Sequence, residues 1–146
     1  MTSRLPVLSP SCFPSVFIRG QNRIFYTRTL ILALWFVLIC CVIVGSLLPG
    51  GSPVIVAVGH LHIIKVLHYC AYTSLALIAL VAVRRRSAAV LAALAMILLG
   101  VALEFGQKLV PGRSCEIRDM VINEVGVLTG IAIGMLSRRI MPTARG

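Results

Sequence analysis

Long apolar segments separated by short polar stretches constrain the fold of this chain more than any other feature. The clearest segment covers residues 29–48, TLILALWFVLICCVIVGSLL, and contains no charged residue. A helix needs about 20 apolar residues to cross the hydrocarbon core of a bilayer, and this segment has that length. Because 59% of the 146 residues are hydrophobic and only 12% are charged, an ordinary soluble domain is excluded. The sequence therefore predicts an integral membrane protein.

The predicted fold is an all-α bundle of four transmembrane helices with a short interfacial or re-entrant segment before the second helix. The spans are predicted at about residues 29–48, 66–83, 88–104 and 119–137. The apolar part of residues 53–65 is too short to cross a bilayer, and the sequence does not decide between the two alternatives for it. Residues 1–28 are expected to form an irregular basic cytoplasmic leader, residues 29–140 the transmembrane domain and residues 141–146 a cytoplasmic tail.

The distribution of arginines predicts the orientation in the membrane. Ten of the twelve arginines lie in the leader, in the loop at 84–86 and after residue 137, and four spans place these regions on one side. Basic residues beside spans mark the cytoplasmic side, so both termini are predicted to be cytoplasmic. The net charge of +10 therefore indicates topology and contact with anionic lipids, and nucleic acid is not expected as a partner.

Three polar pairs predict a site at the outer end of the bundle. Each pair occupies one helix face: His68 and Tyr72, Glu104 and Gln107, and Asp119 and Asn123. Polar groups at membrane depth usually face the bundle interior or a watery cavity, so the pairs are expected to share one outward-facing pocket with Arg113 above it. The alternative is that these groups cap helices and bond one another, and Asp119 would suit an N-cap.

Glycines on the last predicted span indicate close helix packing. Gly126, Gly130 and Gly134 are spaced by four and lie on one face, which lets another helix approach closely. Asp119 and Asn123 continue the same stripe toward the start of the helix. The face is expected to pack against another helix, and an oligomer formed through it is an open alternative.

No motif identifies a catalytic or cofactor site. HExxH, GxSxG and P-loop patterns are absent, and no cofactor is expected. A zinc site from His60, His62 and His68 with Glu104 or Glu116 is conceivable, but no ligand spacing is diagnostic and we predict no metal. The five cysteines do not indicate a disulfide framework, because their number is odd and three lie in predicted spans. A non-enzymatic function is therefore favoured over an enzyme.

In order and spacing, the polar residues resemble a known family. The motifs are K-x-x-H-x-x-x-Y at 65–72, E-x-x-Q at 104–107, P-G-R at 111–113 and D-x-x-x-N-x-x-G-x-x-x-G at 119–130. Together they resemble the VanZ-like family of small bacterial membrane proteins, over residues 65–134. The resemblance implies a multi-pass protein of the bacterial cytoplasmic membrane. The family is named for VanZ, an accessory factor that raises resistance to the glycopeptide teicoplanin.

Three functions are compatible with these residues. The first is a non-enzymatic envelope protein that binds an anionic lipid, an envelope precursor or an amphiphilic glycopeptide, with Arg113, Lys108 and Arg118 contacting its phosphate or carboxylate. The second is a membrane enzyme acting on a lipid-linked substrate, with His68 and either Glu104 or Asp119 as acid and base. The third is a small proton-coupled carrier. The predicted ligand-binding residues are Lys65, His68, Tyr72, Glu104, Gln107, Arg113, Asp119 and Asn123.

Overall fold

The computed structural model describes residues 15–59 and 63–140 of the chain. Within them the helices are α1 (Ser15–Ser46), α2 (Pro53–Gly59), α3 (Ile63–Ala82), α4 (Arg86–Gln107) and α5 (Ile117–Ile140). Helices α3, α4 and α5, and the Tyr26–Ser46 part of α1, are long and apolar enough to cross a membrane. The predicted all-α membrane fold, with a short segment before the second span, is confirmed.

Helix α1 begins well before the first predicted span. The leader was expected to be irregular up to residue 28, but the chain is helical from Ser15, so that expectation is wrong for residues 15–28. The reason lies in the prolines, which break helices and here all precede Ser15 within the leader. Residues 1–14 and 141–146, and with them the other leader residues and the predicted tail, lie outside the described residues.

Helix α3 is the centre of the bundle and contacts each of the other four helices. Its side chains at Tyr72, Leu75, Ala76 and Ala79 are buried almost completely. The spacing of three and four residues places them on one face, as in any helix that packs against neighbours. Many large apolar side chains of the bundle are instead exposed, as a surface in contact with lipid requires.

Helix α1 is the least buried of the four spans. It is attached to α3 by a hydrogen bond in which the indole Nε1–H of Trp35 donates to the carbonyl oxygen of Leu75 at 2.9 Å. Leu30 and Phe36 on its other faces are exposed. Helix α1 thus packs loosely on a tighter unit formed by α3, α4 and α5.

Helix α5 packs along α3 through its glycines. A Cβ atom added at Gly126 would lie 2.8 Å from the carbonyl oxygen of Tyr69, and one at Gly134 would lie 2.7 Å from Cδ1 of Leu80. Real Cβ contacts are not that short, so this helix separation requires glycine. Gly130, between them, also lies against the backbone of α3. The expected packing of this glycine face against another helix thus occurs within one chain, against α3.

Arg138 connects the last turn of α5 to the end of α3. Its guanidinium donates through Nε to the carbonyl oxygen of Leu80 at 2.6 Å and through Nη2 to the carbonyl oxygen of Val83. The last carbonyl groups of a helix have no partner within the helix, and a basic side chain can supply one. Arg138 therefore satisfies the end of α3 and fixes α5 against it.

At the other end of the bundle, the loop after α1 contacts the loop between α4 and α5. The N–H of Gly50 donates to the carbonyl oxygen of Pro111 at 3.1 Å. Gly112 has a φ of +72°, a left-handed conformation that glycine adopts without strain. This turn brings the residues that follow it back over the end of the bundle, where the polar residues lie.

Candidate functional site

The polar pairs lie where α3 begins, α4 ends and α5 begins, which we call the polar end of the bundle. Helix α3 contributes the first pair, α4 the second and α5 the third. Four of the six side chains are between 1% and 3% exposed: Tyr72, Glu104, Gln107 and Asn123. The other two, His68 and Asp119, are half-buried. The polar end is therefore a packed interior region and not a solvated rim.

His68, Glu104 and Asp119 form a three-residue cluster at the centre of the polar end. One nitrogen or oxygen atom from each lies within 4.8 Å of those of the other two. Each of the three comes from a different helix, so the packing of α3, α4 and α5 creates the cluster. An imidazole beside two carboxylates can transfer a proton or bind a cation.

Glu104 also fixes the loop that precedes α5. Its Oε2 accepts a hydrogen bond from the backbone N–H of Glu116 at 3.3 Å. The side chain of Glu116 points outward, with its Oε2 at 3.8 Å from Nζ of Lys65. This ion pair is half-exposed, and pairs of that kind contribute less than about 1 kcal/mol. Lys65 thus lies at the rim of the polar end, outside the cluster.

Several polar atoms at the polar end are buried and have no hydrogen-bond partner among the described residues. They are His68 Nδ1, Arg113 Nε, Asp119 Oδ1 and Asn123 Oδ1, and the described residues contain one more such atom, Thr73 Oγ1. Buried polar groups in folded proteins nearly always bond to protein, water or a ligand. Unpaired atoms on two helices, α3 and α5, and on the loop between α4 and α5 therefore indicate that water, an ion or a ligand occupies this region.

Asp119 lies in the first turn of α5 and not before it. Its buried Oδ1 accepts no hydrogen bond from the described residues, including the backbone N–H groups at the start of the helix. Asp119 therefore does not act as an N-cap, although its charge suits a helix N-terminus. The alternative of simple helix capping does not account for its position.

Arg113, in the loop between α4 and α5, lines a cavity of about 240 Å³ between α1, α2 and α3. Most of the lining is apolar, with Val42 from α1 and Val54 from α2 as examples. His68 and Tyr72 also line it, so the cavity meets the polar end on one side. Within the described part of the chain Arg113 forms no ion pair with an acid, since the pair between Lys65 and Glu116 is the only one there.

The family model for VanZ/LLP1 matches residues 17–138, which is most of the chain and includes every residue of the polar end. The chain belongs to the VanZ/LLP1 family. The match begins inside the predicted leader and extends well beyond the motifs at 65–134 that carry the resemblance. No curated protein and no solved structure matches the chain.

In this VanZ/LLP1 protein the basic residues expected to contact an anion separate into two groups. Arg113 lines the cavity, whereas Lys108 and Arg118 are exposed and lie outside its lining. The ammonium group of Lys108 lies 5.1 Å from the ring centroid of Phe105, on the outer surface of α4. Only the first of the three is placed to contact a ligand held in the cavity.

Gly100 was not identified from the sequence, although it lies next to two residues of the polar end. A Cβ atom added there would lie 3.2 Å from Cε1 of Tyr72 and 3.4 Å from Cβ of Asn123. Gly100 thus lets one side chain from α3 and one from α5 pack against α4. A signal was present, because Gly100 precedes Glu104 by four residues and so shares its helix face. The cavity lining from α1 and α2 had no comparable signal.

Proposed function

We propose that this VanZ/LLP1 protein binds an anionic amphiphile of the membrane, an anionic lipid or a lipid-linked envelope precursor, with the headgroup at Arg113 and the apolar chain in the cavity. The observation that carries the proposal is the guanidinium of Arg113, whose Nε is buried without a partner beside an apolar lining. Arginine binds phosphate and carboxylate groups through parallel hydrogen bonds, which gives both affinity and geometry. An amphiphile has a charged headgroup that Arg113 can bind and an apolar chain that the cavity can hold.

The packing of α1 supports this choice of ligand. Helix α1 supplies one wall of the cavity and is the least buried span, so an acyl chain can enter between α1 and α3 from the bilayer. At about 240 Å³ the cavity is somewhat smaller than most sites for small molecules, which measure about 300–1,000 Å³. It therefore holds the headgroup region and the first part of a chain, while the rest of the chain remains among lipids.

The arginine distribution supports an outward-facing site in the bacterial cytoplasmic membrane. Arg84 and Arg85 lie between α3 and α4, Arg86 is the first residue of α4, and Arg138 and Arg139 lie in the last turn of α5. All of them are at the end of the bundle opposite the polar end. The basic end is the cytoplasmic one by the positive-inside rule, with both termini on that side. An amphiphilic glycopeptide would reach the same site from outside, and we propose a role in the envelope or in antibiotic resistance on that basis.

Thermal unfolding of the purified protein in detergent tests the proposal. Phosphatidylglycerol, phosphatidic acid and undecaprenyl phosphate should raise the Tm of the wild type, and phosphatidylcholine should not, because it has no net negative charge. Arg113→Gln should lose the response, whereas Arg118→Gln, an exposed arginine near the same loop, should keep it. An equal response to phosphatidylcholine, or an unchanged response of Arg113→Gln, would contradict the proposal.

The three-residue cluster favours a second candidate, an enzyme acting on a lipid-linked substrate. His68 lies within 4.8 Å of two carboxylates, which suits it to move a proton at a bound headgroup. The same lipids can be analysed by mass spectrometry after incubation with the protein. A new product that requires His68 would favour the enzyme, and binding without a product would favour the binding protein.

A further inference from the structure

The ligand atoms of the three-residue cluster are close enough together for one ion to bind among them after small side-chain movements. The ligand atoms of His68, Glu104 and Asp119 lie within 4.8 Å of one another. Zinc in proteins is usually tetrahedral, with nitrogen and oxygen ligands at about 2.0–2.2 Å, so two of its ligands are about 3.3–3.6 Å apart. Side-chain adjustments that shorten the separations by up to about 1.5 Å would bring all three groups into the coordination sphere of a single cation.

The unpaired atoms around the cluster have the chemistry that a cation requires. Asp119 Oδ1 is buried without a partner, and an ionised carboxylate can only accept. Asn123 is 3% exposed, lies one turn after Asp119 on the same face, and also has its side-chain oxygen unpaired. His68 Nδ1 is a third such atom, and a neutral imidazole nitrogen is a metal ligand. The described residues supply no donor to these acceptors, and a cation or a water bound to it would supply one.

We propose that His68, Glu104 and Asp119 bind one divalent transition-metal cation of the Zn²⁺ or Mn²⁺ class. One imidazole and two carboxylates form a mixed nitrogen and oxygen set that suits these ions, and the two carboxylates balance the double charge. Asn123 Oδ1 accepts a hydrogen bond from water on the metal. The remaining positions around the ion are open to water or to a ligand.

A supporting contact already orients one of the ligands. The backbone N–H of Glu116 donates to Glu104 Oε2, and Oε1 makes no hydrogen bond within the described part of the chain. Hydrogen bonds to a ligating carboxylate from outside the metal's own coordination sphere fix its direction and are common at metal sites. The loop before α5 therefore holds Glu104 in position for the cation.

The proposal departs from the expectation that the chain binds no metal. That expectation rested on spacing along the sequence, whereas these three ligands come from three helices. His68 both belongs to the cluster and lines the cavity, but Arg113, on which the proposal of amphiphile binding rests, is not one of the metal ligands. Metal binding and lipid binding can thus each be found without the other.

Metal content of the full-length protein, purified in detergent through a tag without histidine, is the test. After incubation with ZnCl₂ or MnCl₂ and desalting, the wild type should retain about one ion per chain, measured by inductively coupled plasma mass spectrometry. His68→Ala, Glu104→Gln and Asp119→Asn should each weaken binding by at least about tenfold. Glu124→Gln removes a carboxylate from the same helix but outside the cluster, and it should bind as the wild type does.

A second measurement keeps the test valid if a variant folds poorly. Bound Mn²⁺ in the wild type should give an electron paramagnetic resonance signal distinct from the free ion, and Zn²⁺ should displace it from the same site. A wild type that retains no metal above the detergent blank overturns the proposal. So does a folded Asp119→Asn variant, judged by helix content and gel filtration, that binds with unchanged affinity.

Discussion

At the scale of single residues, the main question is whether Arg113 and Asp119 serve a ligand or each other. Both have a buried atom without a partner, and they form no ion pair with one another. A structural clasp would pair them, because leaving a buried charge unpaired is costly. The unpaired atoms of both side chains are available to a ligand. The energetic coupling between Arg113 and Asp119 is therefore expected to be small.

We expect Arg113→Lys to abolish lipid binding while changing the free energy of unfolding by less than about 0.5 kcal/mol. Lysine keeps the charge and removes only the planar fork that engages a phosphate. In a double-mutant cycle with Asp119→Asn, measured by thermal and chemical unfolding in metal-free detergent, the coupling should also stay below about 0.5 kcal/mol. Coupling of about 1–3 kcal/mol, with lipid binding restored in the double variant, would show instead that Arg113 and Asp119 pair with each other.

Some of these residue contacts could be predicted from the sequence, and others depend on how the helices pack. Helical spacing placed His68 with Tyr72 and Asp119 with Asn123, because partners on one helix face follow from periodicity alone. It could not bring the imidazole of His68 to the carboxylate of Glu104, since that distance depends on how α3 and α4 pack. For the same reason no ligand spacing indicated a metal. The exposure of Arg118, close to Arg113 in the sequence, depends on the path of the loop.

At the scale of helices, the glycine face of α5 determines how closely α5 approaches α3. A side chain at Gly130 would collide with the backbone of α3, which cannot move without separating the helices. The apolar runs predicted four helices that could cross a membrane, and the described residues contain four such helices. The polar start of α1 at Ser15 carried no such signal. Gly100 belongs to no glycine repeat, so its only sequence signal was its position four residues before Glu104, on the same helix face.

We expect Gly130→Ala to lower the free energy of unfolding by more than about 1 kcal/mol, because even one methyl group overpacks this contact. Gly100→Leu should be destabilising as well, since Gly100 faces the rings and side chains of two other helices. Gly45→Ala in α1 is the matched control, because nothing lies within 4 Å of its added Cβ, and alanine favours a helix by about 1 kcal/mol. The free energy of unfolding of all three variants can be measured in a mixed detergent series. Equal stability of Gly130→Ala and Gly45→Ala would show that the glycine face does not determine how α5 packs on α3.

At the scale of the whole molecule, the bundle has a basic end and a polar end. The described arginines at 84–86, 138 and 139 lie at the first, and the cluster and Arg113 lie at the second. Because basic residues mark the cytoplasmic side, we expect the basic end to be cytoplasmic and the polar end to face outward.

Topology reporters test this orientation directly. Fusions after Arg86 and after Arg139 should report the cytoplasm, and a reporter inserted at Ser114, an exposed loop residue, should report the exterior. A single cysteine at the same exposed position should be labelled from outside intact cells by a membrane-impermeant maleimide, in a variant without the native cysteines. Labelling only after the membrane is opened would place the site on the cytoplasmic side.

The most direct measurement of the central claim is photo-crosslinking with an anionic lipid that carries a diazirine in its acyl chain. If the headgroup is held at Arg113, phosphatidylglycerol of this kind should label the partly buried cavity residues Val42 and Ile55, as mapped by peptide mass spectrometry. Lipid that only surrounds the bundle should label outer residues such as Leu98, which is 73% exposed. Arg113→Gln should abolish the cavity label and leave the label at Leu98 unchanged. A cavity label that persists in Arg113→Gln, or that appears equally with phosphatidylcholine, would contradict binding of the headgroup at Arg113.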